Sequence, residues 1–336
     1  MMHNDAAGSK LPHKLPIKAL LAVASLLVLC AFVLSLFLGK YPITAASLWE
    51  REPQAVKVFM TLRLPRTCMG LLGGFILGVA GNVYQTIFHN PLASPDIIGV
   101  ASGASAGAAF SILFLSSQAL TVTVTAFAGG LSAVVLSLAL SSMAGGRDNS
   151  SIVLAGIAVN ALAQTVLMIL KMTADPEKEL ASIEYWIMGS LNGVSAHRLL
   201  IPAFIGLGGI LGIFLLYRQI LALSVEEEEA RMLGVAVGRM RLVTLLLATL
   251  VTASVISVTG LISFIGLLAP HTARLLTRNM RFPTLVLSGL MGSLLLSTAD
   301  MLARSVSVSE LPVSIFTSLL GAPFLVFLLI RRNRLS

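Results

Sequence analysis

The chain has 336 residues, of which 56% are hydrophobic and only 11% are charged, and its mean hydropathy is +0.92. A soluble domain carries about 25% charged residues, so this composition lacks the polar surface that a water-facing fold needs. It argues against soluble enzymes, disordered tails and disulfide-stapled secreted domains, and it predicts a polytopic membrane protein. The net charge of +8 is interpreted by position, because membrane proteins collect Lys and Arg in cytoplasmic loops.

Runs of about 20 apolar residues predict the membrane spans in chain order. The first run begins at Ala19 and is interpreted as a retained helix, because it is longer than the apolar region of a cleaved signal peptide. Two spans fit between Asp96 and Arg147, where no charge occurs, and the residues Ser116-Ser117-Gln118 form the turn between them. The remaining expected spans cover residues 65–88, 151–170, 199–217, 283–302 and 311–330.

The uncharged stretch 242–270 is too long for one ordinary helix and short for two. It contains two residues that are predicted to break a helix, Gly260 and Pro270. With ten spans and the N-terminus inside, 14 of the 23 basic residues lie on the cytoplasmic side; with a single span here, only 9 do. The positive-inside rule therefore predicts a break near Gly260, a short eighth span and both termini in the cytoplasm.

The predicted fold class is accordingly all-α, a polytopic membrane protein with about ten transmembrane helices. Its expected organisation is a cytoplasmic N-terminal segment over residues 1–18, one transmembrane domain over 19–330 and a basic cytoplasmic tail over 331–336. A loop over about 218–241 is the longest cytoplasmic connection. Glycines recur at i+4 on the second and third spans, where small residues let helices approach closely: Gly70, Gly74 and Gly78, then Gly99, Gly103 and Gly107.

The chain carries almost none of the residues that enzymes need. Its five histidines include no pair at i+3 or i+4, which argues against a helical metal site. There is neither a G-x-S-x-G nucleophile elbow nor a Walker A loop. The sequence therefore predicts a chain that is not an enzyme and binds no cofactor or metal itself. If it moves a solute against a gradient using ATP, another subunit must bind the ATP.

The segment Arg63-Leu64-Pro65-Arg66 opens the second span on the predicted outer face. Two cations at a helix N-terminus oppose the helix macrodipole, and they also run against the positive-inside bias. Residues that local physics disfavours are candidates for contact with an external acidic partner. The alternative is that both arginines extend to lipid headgroups.

Polar amides recur on single faces of two apolar spans. Asn82 and Gln85 are three residues apart on the second span, and Asn160 and Gln164 are four apart on the fifth. Amides at such depth either bond a neighbouring helix or line a wet path, so all four are candidates for the translocation path.

Two predicted cytoplasmic segments also contain candidate functional residues. The sequence His89-Asn90-Pro91-Leu92-Ala93-Ser94-Pro95 breaks the second span at the inner surface, where a gate or a partner contact is expected. In the long loop, Glu226-Glu227-Glu228-Glu229 is typical of a solvated face. The apolar, glycine-containing patch 230–235 that comes after it predicts a short helix that docks on a partner.

Taken in order, these motifs resemble the FecCD-type permeases of ABC importers for iron-siderophores, vitamin B12 and haem. The resemblance covers about residues 63–332. It rests on Arg-Leu-Pro-Arg, Asn-Pro-Leu-Ala, Trp186-Ile187-Met188-Gly189-Ser190-Leu191, the block from Gly260 to Pro270-His271-x-x-Arg274, Asp300-x3-Arg304, Glu310-Leu311-Pro312 and Gly321-Ala322-Pro323-Phe324. One departure is Val313-Ser314, which stands where the family usually has a glycine. The local packing of the last helix therefore does not follow from the resemblance.

The resemblance implies roles for particular residues. Arg63, Arg66 and Arg304 match the outer arginines that pair with glutamates on a binding protein, although Asp300 lies four residues before Arg304 and a local salt bridge is the alternative for that pair. The inner gate is matched by Asn90 and Leu92. The region that couples to the ATP-binding subunit is matched by Ala230, Arg231, Leu233, Gly234 and Val235.

The resemblance also implies partners and a location. The expected partners are two ATP-binding subunits that carry ATP and Mg, a second permease that is identical or homologous, an extracytoplasmic binding protein and membrane lipid, with no nucleic acid. The expected location is the cytoplasmic membrane of a bacterium or archaeon. An iron(III)-siderophore is the expected solute, with vitamin B12, haem or an oxyanion such as molybdate as alternatives. An ion-coupled secondary transporter is the rival class, but the spans have no charged residue at their centres to carry that coupling.

Overall fold

The computed structural model describes residues 16–145, 148–307 and 310–333. The predicted N-terminal segment before Pro16 and the end of the basic tail lie outside the described residues. So do four of the basic residues assigned to the inside: Lys10, Lys14, Arg147 and Arg334. The fifteen described α-helices are α1 Ile17–Phe37, α2 Ala45–Trp49, α3 Pro53–Val58, α4 Leu64–Ile87, α5 Val100–Phe110, α6 Ala119–Met143, α7 Asn149–Thr173, α8 Glu179–Ile187, α9 Ala196–Leu215, α10 Tyr217–Ala222, α11 Glu227–Met232, α12 Val237–Thr259, α13 Ile265–Thr277, α14 Phe282–Ser305 and α15 Val313–Asn333.

Three short helical turns of other types complete the regular structure of the described chain. A π-helical turn, Phe59–Arg63, joins α3 to α4, and a second one, Ser111–Leu115, extends α5. A 3₁₀ turn, Pro95–Ile98, precedes α5. The described residues contain no β-strand, so the prediction of an all-α fold is confirmed.

Ten helices match the ten predicted spans. Most ends lie within about three residues of the predicted ones, but α12 begins five residues before the predicted stretch 242–270 and α13 ends seven residues after it. Seven of them are long and apolar enough to cross a membrane: α1, the continuous helix over residues 53–87, α6, α7, α9, α12 and α14. The helix Val100–Leu115 and the apolar part of α15 are shorter. The 13-residue α13 is the short eighth span. The outer and inner ends of these helices are named by the sidedness that the charge distribution predicts.

The predicted break between the seventh and eighth spans is confirmed. Helix α12 ends at Thr259, and Gly260 adopts φ +72°, a left-handed conformation in which a side chain would be strained. The carbonyl of Thr259 accepts a hydrogen bond of 2.7 Å from the Ser190 N–H, so a neighbouring loop satisfies the interrupted backbone. Irregular backbone at membrane depth is tolerated where protein surrounds it in this way.

The expectation that Pro270 also breaks a helix is wrong, because this residue lies inside α13. Proline removes one backbone hydrogen bond to the carbonyl four residues earlier, here Gly266. Helix α4 packs directly onto that carbonyl, since a Cβ at Gly81 would collide with the Gly266 oxygen. Tertiary packing therefore holds α13 helical through its proline.

Close helix packing at the repeated glycines is confirmed at four positions. A Cβ at Gly74 would collide with the carbonyl of Gly292, which places the backbones of α4 and α14 in direct contact. Gly103 on α5 makes the same kind of contact with Gly129 on α6. The two remaining close contacts join Gly78 to Ser288 and Gly107 to Thr125. These contacts fix the position of α4 against α14 and of α5 against α6.

The departure at Val313-Ser314 is accommodated in the structure. The Val313 N–H donates a 3.0 Å hydrogen bond to the Gly189 carbonyl, and Ser314 Oγ donates a 2.6 Å bond to the Leu261 carbonyl. Val313 itself is fully buried. The start of α15 is thus tied to the same broken region that comes after α12.

The spans divide into a central and a peripheral set. In the helix over residues 53–87 and in α12, 72% of the residues along the span are buried. In α7 the corresponding share is 17%, and in α1 it is 22%. Helices α4 and α12 therefore form the centre, whereas α7 and α1 offer apolar faces to lipid or to another subunit.

Candidate docking, gating and coupling sites

The outer ends of α4 and α14 hold a group of charged side chains, which we term the outer cluster: Arg63, Arg66, Asp300, Arg304 and Glu310. Arg66 Nε donates a 2.8 Å hydrogen bond to Asp300 Oδ1, and Arg66 Nη1 donates one of the same length to Glu310 Oε2. Charge-assisted bonds of this kind are the strong ones in proteins. Arg66 therefore joins the first turn of α4, the last turns of α14 and the segment that leads into α15.

Asp300 also contacts a second arginine of the outer cluster. Its Oδ2 lies 3.5 Å from Arg304 Nε, one helical turn along α14, so the local salt bridge proposed as the alternative for this pair is present. Arg304 Nη2 also donates to the carbonyl and hydroxyl oxygens of Ser35 on α1, at 2.8 and 2.6 Å. Asp300 is only 1% exposed. A carboxylate so deeply buried requires such partners.

Arg63 lies beside the members of the outer cluster that bond one another. Its Nη2 donates a 3.1 Å bond to the Tyr41 carbonyl, and its buried Nη1 has no hydrogen-bond partner. A cavity of about 180 Å³ is lined by Arg63, Arg66, Arg304 and Glu310. All three arginines are at most 8% exposed, so they pack within protein rather than extending to lipid headgroups. The cluster holds three cations and two carboxylates.

The four candidate amides fall into two environments. Asn82 Nδ2 donates a 3.1 Å bond to Ser288 Oγ on α14, and Gln85 Nε2 donates a 3.2 Å bond to the Leu267 carbonyl on α13. These two therefore bond neighbouring helices. On α7, Gln164 Nε2 lies 3.4 Å from Asn160 Oδ1, and Gln164 is exposed. Only the α7 pair lies on a face that the described residues leave open.

The inner end of α4 leads into a loop over residues 89–94, which we term the gate loop because it holds the predicted gate residues Asn90 and Leu92. His89 adopts φ +48°, which turns the chain sharply after the helix. The Leu92 N–H donates a 2.9 Å bond to Asn90 Oδ1, closing an Asx turn. Leu92 is 52% exposed. The asparagine thus shapes the loop, and the leucine is presented at its tip.

A short helix, α11, is present in the loop, but it begins within the acidic run and covers only the first three residues of the predicted patch 230–235. Ala230 is 1% exposed and faces the chain itself, and the Val235 N–H donates a 3.2 Å bond to its carbonyl. Gly234 adopts φ +79° and ends the helix. Met232 and Leu233 are 80% and 69% exposed, so they form an apolar tip. Met232 is absent from the predicted coupling residues, although its apolar side chain between the acidic run and the glycine is a signal for it.

Glu227 holds α11 against the start of α12. Arg231 Nη2 donates to its Oε1 at 2.6 Å, and Arg241 Nη2 to its Oε2 at 3.2 Å. The hydrogen bond from Arg241, with that from Arg231, lowers the pKa of Glu227 below its usual range. The acidic run is thus partly structural, because one of its members pairs with two arginines.

The gate loop is in direct contact with the segment 218–241, which we term the coupling loop because it holds the predicted coupling residues. His89 Nε2 lies 2.7 Å from the carbonyl of Leu223, the residue directly after α10 and shortly before α11. A cavity of about 670 Å³ beside this contact is lined by His89, Glu227, Ala230 and Arg241, among others. Sequence reasoning assigns His89 no role, because a lone histidine in a turn carries no recognisable pattern.

The described residues contain no group of three His, Cys, Asp or Glu side chains that could hold a metal ion. The fold and these sites define a multi-pass helical membrane protein, with a charged cluster at one end of its spans and an exposed short helix, α11, at the other.

Comparison with known proteins identifies the family. The model of the FecCD transport family matches residues 26–331, and the chain belongs to this family. It is 36% identical to the cobalamin import system permease protein BtuC of Halobacterium salinarum, over 85% of this chain and 77% of that protein. It is 36% identical to the Fe(3+) dicitrate transport system permease protein FecD of Escherichia coli, over 90% and 95%. It is 32% identical to the hemin transport system permease protein HmuU of Yersinia pestis, over 88% and 90%.

A solved structure supports the same assignment. An ABC transporter described as being of metal-chelate type, in an inward-facing conformation, superposes with a TM-score of 0.84 at 29% identity and covers 94% of this chain and 99% of its own. The chain is therefore a permease subunit of an ABC importer in a cell membrane, and it is not an enzyme. ATP hydrolysis belongs to a separate subunit, and the alternative of an ion-coupled carrier is set aside.

Proposed function

We propose that the chain forms the translocation path of an importer for iron(III)-siderophore complexes. The complete assembly contains a second permease, two ATP-binding subunits that carry ATP and Mg, and an extracytoplasmic binding protein. The names of the relatives support a bulky chelate, since they are described as permeases for ferric dicitrate, hemin and cobalamin. Vitamin B12, haem and an oxyanion such as molybdate are the alternative solutes.

The coupling mechanism in this proposal rests on the 2.7 Å contact between His89 Nε2 and the Leu223 carbonyl, whereas the solute rests on the names of the relatives. In our proposal the apolar tip of α11, Met232 and Leu233, inserts into a groove of the ATP-binding subunit. ATP-driven closure of that subunit displaces α11 and the preceding segment. The contact at His89 then transmits the displacement to the gate loop and moves Leu92, which gives alternating access.

At the outer end, we assign docking of the binding protein to the outer cluster. Its excess of one positive charge attracts an acidic surface, and the unpartnered Nη1 of Arg63 offers a donor to a carboxylate. Arg66 and Arg304 contribute positive charge and hold the rim in shape, because their principal partners lie within the chain.

Between the two ends, we assign the path to the face of α7 that carries Asn160 and Gln164. This face has no charged side chain near the amide pair and is poorly buried in the chain itself. A second permease that faces α7 would enclose a polar but uncharged route. Such a route suits a large chelate that presents many weak hydrogen-bonding groups. Asn82 and Gln85 stand apart from this route, because they bond α14 and α13.

The test is uptake in proteoliposomes that contain the permease, its ATP-binding subunit and its binding protein. We expect ATP-dependent uptake of a ⁵⁵Fe-loaded siderophore. The variant Leu233→Asp should abolish both uptake and co-purification of the ATP-binding subunit, because it places a charge on the apolar tip. Met143→Asp is the matched control, since Met143 is also an exposed apolar residue, 82% exposed, at the inner end of α6.

Two results would contradict the proposal in different ways. Uptake of cobalamin or hemin instead of the ferric siderophore would overturn the solute but keep the coupling role of α11. Normal assembly and uptake by Leu233→Asp would overturn the coupling role itself.

A further inference from the structure

A second polar site lies at the inner ends of α4 and α13, in a cavity of about 550 Å³. We term it the inner cavity, and its polar lining includes Gln85, Asn90, His271, Arg274 and Arg278. The cavity borders the gate loop through Asn90. None of the docking or coupling roles assigned above uses His271, Arg274 or Arg278, and the site does not depend on which solute is transported.

Helical spacing brings these side chains together. Leu267, His271, Arg274 and Arg278 succeed one another at i, i+4, i+7 and i+11, so they share one face of α13 and its C-terminal end. The amide of Gln85 on α4 donates to the Leu267 carbonyl, which places α4 against this same face. The cavity is thus walled by one polar face of α13 and the end of α4.

Several buried polar atoms in the inner cavity have no partner. These atoms are Gln85 Oε1, Arg274 Nη2 and both ring nitrogens of His271. Gln85 is 1% exposed, so bulk water does not satisfy its oxygen. Among the described residues that line the cavity there is no Asp or Glu to balance the two arginines. Buried polar groups are normally hydrogen-bonded, so this arrangement indicates a missing ligand.

The unpartnered atoms define the chemistry of that ligand. Arg274 Nη2 and one nitrogen of a neutral His271 ring donate hydrogen bonds, whereas Gln85 Oε1 and the other ring nitrogen accept them. An anion that also carries a hydroxyl donor would pair with all of these atoms. An ionised carboxylate only accepts and leaves the Gln85 oxygen unsatisfied. We propose that the inner cavity binds a phosphate group with an adjacent hydroxyl, as in the headgroup of phosphatidylglycerol or in inorganic phosphate.

The surroundings of the inner cavity are compatible with a lipid source. Leu275 and Met280 line its edge and are 39% and 44% exposed, so an acyl chain could lie against them. Basic pockets between helices on the cytoplasmic side of a membrane protein are where anionic headgroups bind. Inorganic phosphate presents the same charge and the same hydroxyl donor without the acyl chains, and the experiment separates the two sources.

The test uses the full chain in two kinds of nanodisc. In discs of phosphatidylcholine and phosphatidylglycerol, native mass spectrometry counts the phosphatidylglycerol that stays bound. In discs of phosphatidylcholine alone, inorganic phosphate is titrated and the midpoint of thermal unfolding is monitored. We expect Arg274→Gln and, separately, Gln85→Leu to weaken binding about tenfold, the effect of losing a hydrogen bond to a charged group. Arg281→Gln removes the same charge from an exposed position outside the cavity and should leave binding unchanged.

Each outcome has a defined meaning. Retained phosphatidylglycerol without a phosphate effect supports the proposal with lipid as the source, and a phosphate-dependent shift in phosphatidylcholine discs supports it with soluble phosphate as the source. Equal binding by Arg274→Gln and Arg281→Gln overturns it, as does a wild-type chain that binds neither probe. If Arg274→Gln fails to fold, the binding measured for Gln85→Leu tests the proposal in its place.

Discussion

The outer cluster and the inner cavity both contain arginines near an end of α4, but they differ in what balances the charge. In the outer cluster, Asp300 and Glu310 provide carboxylates at 2.8 Å from Arg66. In the inner cavity, Arg274 and Arg278 share their lining with no Asp or Glu among the described residues. The outer cluster pairs Arg66 with carboxylates of the chain, although Arg63 Nη1 and two nitrogens of Arg304 lack hydrogen-bond partners. The inner cavity has no carboxylate in its described lining, and buried donors and acceptors there also lack partners.

The difference arises from where acids occur in the sequence. Helix α14 places Asp300 one turn before Arg304, so a carboxylate faces the arginines as soon as the helix forms. Residues 265–278, in contrast, contain no acid at all. A charge that is neutralised within the chain makes the fold rigid and independent of ligands. A charge that is neutralised by a bound ligand makes its region sensitive to whether that ligand is present. The inner cavity is such a region, and it borders the gate loop.

The largest effect is expected at Asp300. Replacing it in Asp300→Ala leaves Arg66 and Arg304 buried without their shared carboxylate, and breaking a buried pair from one side costs about 3–5 kcal/mol. The free energy of unfolding in an SDS titration should fall by that amount. Asp300→Asn keeps the shape and one acceptor and should lose less. A loss below about 1 kcal/mol in Asp300→Ala would show that the outer cluster does not stabilise the fold.

Much of the fold could be predicted from the sequence because it depends on local signals. Apolar runs, the Gly260 break and the charge bias together indicate ten spans, and the structure contains them. The Pro270 error shows the limit of local signals. A proline indicates a break, yet the contact between Gly81 and Gly266, which are far apart in the sequence, holds α13 together.

A smaller effect, on docking rather than stability, is expected at Arg63. This arginine has one hydrogen-bond partner in the chain, the Tyr41 carbonyl, and an unpartnered Nη1. Arg63→Gln should weaken binding of the isolated binding protein about tenfold, the effect of one charge-assisted hydrogen bond. Immobilised permease in nanodiscs and surface plasmon resonance measure it. Arg51→Gln, at an exposed position on the same predicted face, is the control.

The result at Arg63 also decides how the outer cluster should be tested. Reversing the charge of Arg66 would place a third carboxylate beside Asp300 and Glu310, so any loss of docking would be confused with unfolding. If Arg63→Gln binds as tightly as Arg51→Gln, the outer cluster is a structural feature alone.

The pairing within each site could not be predicted from the sequence. The candidates Arg63, Arg66 and Arg304 are found by position and by family pattern, but their partners Ser35, Tyr41 and Glu310 come from distant segments. The role of Gln85 depends on which helix it meets, and an amide pattern on one span does not contain that information. His271 and Arg274 stand in a recognisable block, and only the packing of α4 against α13 reveals that their polar atoms lack partners.

The smallest effect on stability is expected at Arg274. Its measurement tests most directly the difference between the outer cluster and the inner cavity. In phosphatidylcholine discs without phosphate, Arg274→Gln removes a charge that no carboxylate among the described lining residues balances. Removing an unpaired, desolvated cation should leave the free energy of unfolding unchanged or raise it by up to about 1 kcal/mol. The same SDS titration used for Asp300→Ala measures it. If phosphatidylglycerol is then added, the wild-type chain should gain more stability than Arg274→Gln, because a ligand that binds only the folded state stabilises it in proportion to its affinity. A large loss in Arg274→Gln without any anion would mean that Arg274 is already paired within the chain, as Arg66 is in the outer cluster.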